Sequence, residues 1–203
     1  MIALVSRASS SGTVTTPSGW TTIPGFPTSN ANGIALYGFY RVASSEPSSY
    51  TFSFSIGKAL IVISSYRGVD TTTPIHQSAA AADTTNRTAH ASPSVTTTIA
   101  DCWIVTAYSD RNNVSSDTWS TPAGLTSRSG NIVATGTQNN SLATFDTNAD
   151  EAAGTYSYTA TASASQNNAC MCTLALAPGA APAPAPQAVP TILRQAVARS
   201  ALR

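Results

Sequence analysis

The chain carries two imidazoles, His76 and His90, and 57 small hydroxyls, 28 Ser and 29 Thr. A hydroxyl becomes a nucleophile when a base lies in hydrogen-bond reach and an acid orients that base, often on a Gly-x-Ser-x-Gly elbow. No such elbow occurs. With serines this numerous, pairing one with either histidine carries no information, so no catalytic residue is assigned and a non-enzymatic protein is expected. Cys170 and Cys172 stand at i and i+2 of a strand-like run, which points both thiols to one face. They could form half a zinc site with His76 or His90, but the Cys-x₂₋₄-Cys and His-x₃₋₅-His spacings of such sites are absent. Two small buried side chains are the preferred reading. Asp146, Asn148 and Asp150 match the opening of a calcium loop, yet Glu151 occupies the glycine position and Ser157 that of the bidentate glutamate. No metal or other cofactor is expected. Trp20, Trp119 and the Tyr and Phe residues could stack on sugar rings. Tyr50, Phe52 and Phe54, however, share one face of one extended run, as a sandwich core requires. Trp119, between two polar stretches, is the aromatic expected at the surface.

The elements that would position these residues are strands. Tyr50–Ile56 alternates apolar with hydroxyl residues, the period-two signature of a half-buried strand, and Thr155–Thr159 repeats it. Ala59–Ile63 and Cys102–Thr106 are continuous apolar runs that read as strands buried on both faces, and Ile34–Tyr40 is a further strand. Gly, Pro, Asn and Ser clusters punctuate these runs too closely for a helix of ordinary length. Gln77–Asp83 is the one helical alternative in the body, and it suits a strand equally well.

Motifs recur in order. Ala3–Ser6 aligns with Trp103–Thr106, Thr16–Thr21 with Thr121–Thr126, Glu46–Phe54 with Glu151–Tyr158, and Ala59–Ile63 with Ala169–Thr173. A unit used twice predicts an all-β, antiparallel two-sheet sandwich, jelly-roll-like, built from two pseudo-repeated halves over residues 1–178. The second unit holds an extra strand candidate, Ser94–Thr98, before Cys102. Its first-unit counterpart would fall upstream of Met1. This predicts a bare sheet edge at Ala3, Leu4, Val5 and Ser6, open to another chain.

Only 9% of residues are charged, against about 25% in an average soluble domain. A net charge of +1 argues against nucleic acid as a partner, since phosphate binding needs clustered Lys and Arg. No run approaches the length of a membrane span, and the N-terminal residues lack the basic and apolar regions of a signal peptide. Residues 179–190, GAAPAPAPQAVP, read as an extended Pro-Ala linker of roughly 30 Å. Residues 191–203 hold three arginines and no acid. As a short helix capped by Thr191 they would group Ile192, Leu193, Ala196 and Val197, with Arg199 and Arg203 flanking, Arg194 off that side and Leu202 opposite. This predicts an anchor that orders against a partner through Ile192, Leu193, Arg194, Val197, Arg199, Leu202 and Arg203.

Pro17–Trp20, Tyr40–Ala43, Glu46–Ser55 and Tyr66–Asp70 followed by Pro74-Ile75 together resemble a β-sandwich domain recurrent in tailed-bacteriophage virion proteins and in some bacterial surface proteins. The resemblance covers about residues 2–178 and brings no catalytic residues with it. It implies a virion structural protein, a capsid decoration or head-fibre protein first and a minor tail protein second, located at the virion surface. Expected partners are the major capsid protein or tail proteins, with self-association and a host surface glycan as further openings. A carbohydrate-binding or adhesion module is the competing class.

Overall fold

Runs of β-branched and aromatic residues set between glycines, prolines and asparagines favour the extended backbone. In the computed structural model, which describes residues 1–55, 57–112, 117–134 and 139–179, every regular element is a strand. The linker from residue 180 and the seven anchor residues from Ile192 to Arg203 lie outside the described residues. The first half contains β1 (Ile2–Arg7), β2 (Thr21–Thr22), β3 (Thr28–Asn30), β4 (Ile34–Tyr40) and β5 (Ala59–Ser64). The second contains β6 (Ile75–Asp83), β7 (Arg87–Ala91), β8 (Val95–Thr96), β9 (Trp103–Asn112), β10 (Thr126–Ala134), β11 (Asn139–Asp146), β12 (Thr155–Tyr156), β13 (Thr159–Gln166) and β14 (Ala169–Leu176). Gln77–Asp83 is thus strand, not helix.

Each half builds one antiparallel sheet. The first runs β2-β4-β1-β5, with β3 also on β4; the second runs β10-β11-β9-β14-β6. They stack face to face, β3 over β6, β4 over β14, β1 over β9 and β11, and β5 over β10 and β11. Between them lies a core of Ile2, Leu4, Ile34 and Leu36 against Val105, Ala107, Leu142, Cys170, Cys172 and Leu174. Burying each of the larger of these side chains stabilises the fold by about 1.5–3 kcal/mol.

The repeat is real, but its register differs from the sequence alignment. The ladders superpose when Ser6 matches Ser109, Leu36 matches Leu142 and Val62 matches Cys172. Ser6 pairs with Leu36 as Ser109 pairs with Leu142, and Leu4 pairs with Val62 as Ala107 pairs with Cys172. Ala3–Ser6 therefore slides three residues along from Trp103–Thr106. An odd slip inverts the faces of a strand. It would have sent Leu4, a residue of the core between the sheets, to the place of Ile104, which is buried on the other face of its sheet, against Val95 and Cys102.

Two expectations need correction. The bare edge does not lie at Ala3, Leu4, Val5 and Ser6. β1 is central, bonded to β4 on one side and β5 on the other, and all four residues are fully buried. Ser6 is directed into the interior, where its Oγ donates to Asn140 Oδ1 at 2.7 Å and meets Ser109 Oγ, its own repeat mate. Nor is Tyr50–Ile56 a ladder strand; among the described residues it makes a single bridge, Phe54 to Val14. The equivalent bridge in the second half joins Ala162 to Trp119, but there β13 continues into a ladder with β7. Without a β7 beside it, the 50–54 run has half of the pairing that its pattern calls for.

The outer faces of both sheets are also covered in part, so the molecule has more layers than two. Trp20, Tyr50 and Phe52 lie over Ala3, Val5 and Phe39. Trp119, Ala160 and Ala162 lie over Tyr108, Phe145 and Met171.

Candidate functional site

Two places gather polar chemistry: a groove at one end of the sandwich and a buried acidic cluster under the outer layer of the second half. The groove encloses about 480 Å³ and is lined by Ile63, Ser64, Ser65, Tyr66, Arg67, Trp103, Arg128, Asp146 and Asn148. β5 and the turn after it supply one wall; the starts of β9 and β10 and the end of β11 supply the other. Tyr66 and Trp103 meet edge to face with centroids 6.0 Å apart. Asp146 is fully buried, and its carboxylate accepts from Arg128 Nε at 2.7 Å, Tyr66 Oη at 3.2 Å and the Asn148 amide at 2.9 Å. Arg128 also donates to Asn148 Oδ1. Burial, then the Asp146 charge, pushes the Tyr66 phenol well above its ordinary value. Asp146 is therefore engaged by three donors that hold the groove together. The indole N–H of Trp103 is buried without a partner among the described residues. An aromatic wall beside a guanidinium suits a neutral polar ligand, with the ring faces supplying apolar contact.

The acidic cluster consists of Asp110 and Asp117, both fully buried. Asn112 Nδ2 bridges them, 2.5 Å from Asp117 Oδ2 and 3.3 Å from Asp110 Oδ1. Gln166 Nε2 donates to Asp117 Oδ2 at 3.2 Å and the Ser163 amide to Oδ1 at 3.1 Å. Ser141 Oγ donates to Asp110 and itself accepts from Trp119 Nε1 at 2.8 Å. Burial and the neighbouring Asp117 raise the Asp110 carboxyl to about 8. Two carboxylates sharing one dry site cannot both ionise cheaply. With no opening to solvent at either group, the cluster stiffens the interior and is not placed to meet a substrate.

The histidines are engaged in structure. His90 is fully buried, with Nδ1 2.9 Å from Asp83 Oδ2 and Nε2 3.0 Å from the Arg87 carbonyl. That is the Asp–His half of a hydrolase triad, but the nitrogen that would face a nucleophile faces a main-chain oxygen instead. His76 Nε2 accepts from the Thr98 amide at 3.1 Å. Cys170 and Cys172 are fully buried free thiols in the main core, both pushed up to about 12 by burial, so they pack as small apolar groups. Among the described residues no group of three or more His, Cys, Asp and Glu is arranged to hold a metal ion.

The aromatics correct the sequence reading. Trp119, expected at the surface, is 3% exposed, and Trp20 is likewise buried. The indole that does line a groove, Trp103, sits in a run that reads as buried on both faces. Its place in the groove depends on Tyr66, in the turn after β5, meeting it edge to face, a neighbour relation that no local pattern announces. Among the described residues no helix is long and apolar enough to cross a membrane. Comparison of the chain with protein-family models, with curated proteins and with solved structures finds no match.

Proposed function

We propose that the protein is a non-enzymatic structural component of a phage virion, a capsid decoration or head-fibre protein held by its C-terminal segment. The observation that carries this reading is the route by which the chain leaves the sandwich. After β14, Pro178 bridges to Val69 and the Gly179 amide donates to the Gly68 carbonyl, fastening the last described residues to the body. The Pro-Ala run starts at the next residue and ends in Arg194, Arg199 and Arg203. A spacer fastened at its root and basic at its far end suits a body presented away from an acidic protein surface. A minor tail protein would have the same build. The test is deletion of residues 180–203, which spares the Gly179 contact. The shortened chain is expected to fold and remain soluble but to be lost from purified particles. Incorporation at the full-length level would move attachment to the sandwich and end the anchor reading.

A second reading, a glycan-binding or adhesion module, is favoured by the Tyr66–Trp103 groove with its aromatic wall. It expects saturable calorimetric binding of oligosaccharides from the host surface, weakened about tenfold in Trp103→Ala, which removes the ring face. Equal binding by both proteins would remove the groove from the account.

A further inference from the structure

The internal repeat allows the halves to be compared strand by strand, and one component of the second half has no counterpart among the described residues of the first. In the second half the outer edge of β14 is covered by β6, and β13 in the layer above is covered by β7. These form one continuous stretch, Ile75–Ala91. In the first half the mate of β14 is β5, and it ends its sheet with no strand beyond it among the described residues. The Tyr50–Phe54 run above it, mate of the start of β13, is also unpaired on that side.

The side chains record the same difference. Val62 matches Cys172, so Ile61 matches Met171 and Ile63 matches Thr173. Met171 is 3% exposed and Thr173 0%, flanked in the sheet by β6 and covered from above by the outer layer, where Met171 packs on Trp119 and Ala162 and Thr173 Oγ1 donates to Ser92 Oγ, whereas Ile61 is 36% and Ile63 40% exposed. In the upper layer Ala162 is 2% exposed and its mate Phe54 is 42%. Three of the five large hydrophobics exposed among the described residues therefore lie where the second half carries β6 and β7. Main-chain polarity agrees. The Ala8 amide donates to the Lys58 carbonyl, which makes that pair a bonded one. By antiparallel alternation Leu60, Val62 and Ser64 then bond to β1, while the N–H and C=O groups of Ile61 and Ile63 point to the open edge. β5 itself carries no charge and no proline, the usual devices that keep an edge unpaired.

We infer that β5, with Phe54 above it, is an acceptor for strand addition by a segment of a different protein. That segment lies antiparallel to β5 and resembles residues 78–82 of β6: uncharged there, with small side chains opposite Ile61 and Ile63, where β6 places Ala81 and Ala79 opposite Met171 and Thr173. Main-chain hydrogen bonds supply the affinity, and the small residues allow close approach over the two isoleucines. The inference stands apart from the anchor reading, because it concerns the body and not the C-terminal segment.

The probe is a synthetic peptide with this chain's own sequence from Pro74 to Ser92, added in excess to the full-length protein. Amide hydrogen exchange at Ile61 and Ile63 is expected to be fast in the free protein and to slow about tenfold or more, saturably, with the peptide but not with a scrambled one. The double variant Ile61→Lys, Ile63→Lys alters only exposed positions. It is expected to keep the fold and the melting temperature and to lose the effect. Unchanged exchange at these two amides with the peptide overturns the inference, as does binding that survives the lysine variant. Protection already present in the free protein overturns it too. If sedimentation then finds a dimer that the lysine variant dissociates, the edge pairs with a second copy; if it finds a monomer, the chain's own residues cover the edge.

Discussion

Asp110→Asn is expected to stabilise the protein at pH 8 by about 2 kcal/mol or more and to flatten its stability between pH 5 and 8. The Asp110 carboxyl is raised from 3.8 to about 8 by burial and by Asp117. Below the unfolded value both states hold the proton, and its contribution to stability is complete. As pH rises towards 8 the unfolded chain releases the proton while the folded chain must keep it. Stability then falls with a limiting slope of about 1.4 kcal/mol per pH unit. The carboxamide that Asp110→Asn introduces has no proton to lose. Its NH₂ can donate towards Asp117 from the position of Asp110 Oδ2, which lacks a donor among the described residues, and its carbonyl can still accept from Ser141. Asp83 acts in the opposite direction. Burial alone would raise it, but hydrogen bonds from the Thr85 amide, Arg87 and His90 outweigh burial and hold it below the ordinary range. Its contribution is therefore lost as pH falls. Urea midpoints measured from pH 3 to 9 should show a maximum on the mildly acidic side. A parent protein whose stability rises from pH 5 to 8, with Asp110→Asn less stable, would show that the pair is ionised and compensated.

Trp119→Ala is expected to cost about 3–5 kcal/mol, the usual range for removing a buried aromatic. Trp119 packs against Tyr108 and His90, each with ring centroids at 5.5 Å, and its indole N–H reaches Ser141. Its own amide donates to Asn131 Oδ1 at 2.6 Å. The ring thus ties the outer layer of the second half to the sheet and supplies the donor that Ser141 needs while serving Asp110. Trp119→Phe should cost about 1–2 kcal/mol by a different route, leaving Ser141 without that donor. Urea denaturation of the two variants separates these contributions. A surface tryptophan would give changes within about 0.5 kcal/mol for both.

Asp110 and Trp119 show where the sequence is legible and where it is not. Asp110 sits in a polar stretch, Ser109-Asp-Arg-Asn-Asn113, that invites a surface assignment. It is interior because β9 runs on to Asn112 beneath the outer layer formed by Trp119 and β13. Trp119 stands among hydroxyls for the same reason. A hydroxyl-rich segment can line an interior layer when its polar groups bond to one another, as Ser163 does to Asp117. Hydropathy along the chain cannot distinguish that from solvation. The groove was missed because its walls come from β5, β9, β10 and β11, and the two repeat units meet there only after the sheets stack.

Several properties were determined by the residues alone. Period-two alternation and close turn signals set the strand class. Ile34–Tyr40 is β4 as expected, and the order of repeated motifs foretold two related sheets. The coupling of side-chain direction to backbone period is local, so it can be read locally. Neighbour relations are not local, and the tertiary structure alone decided them. β1 was expected at an edge because the repeat alignment left a strand missing beside it. Among the described residues the unpaired edge lies at β5 instead, because each sheet places its first strand between the other two, β4-β1-β5 and β11-β9-β14. Every apolar run here could pair with several others at similar cost. What selects one arrangement is burial of the shared core and of most of both outer faces at once, a condition on the whole chain that no single stretch contains.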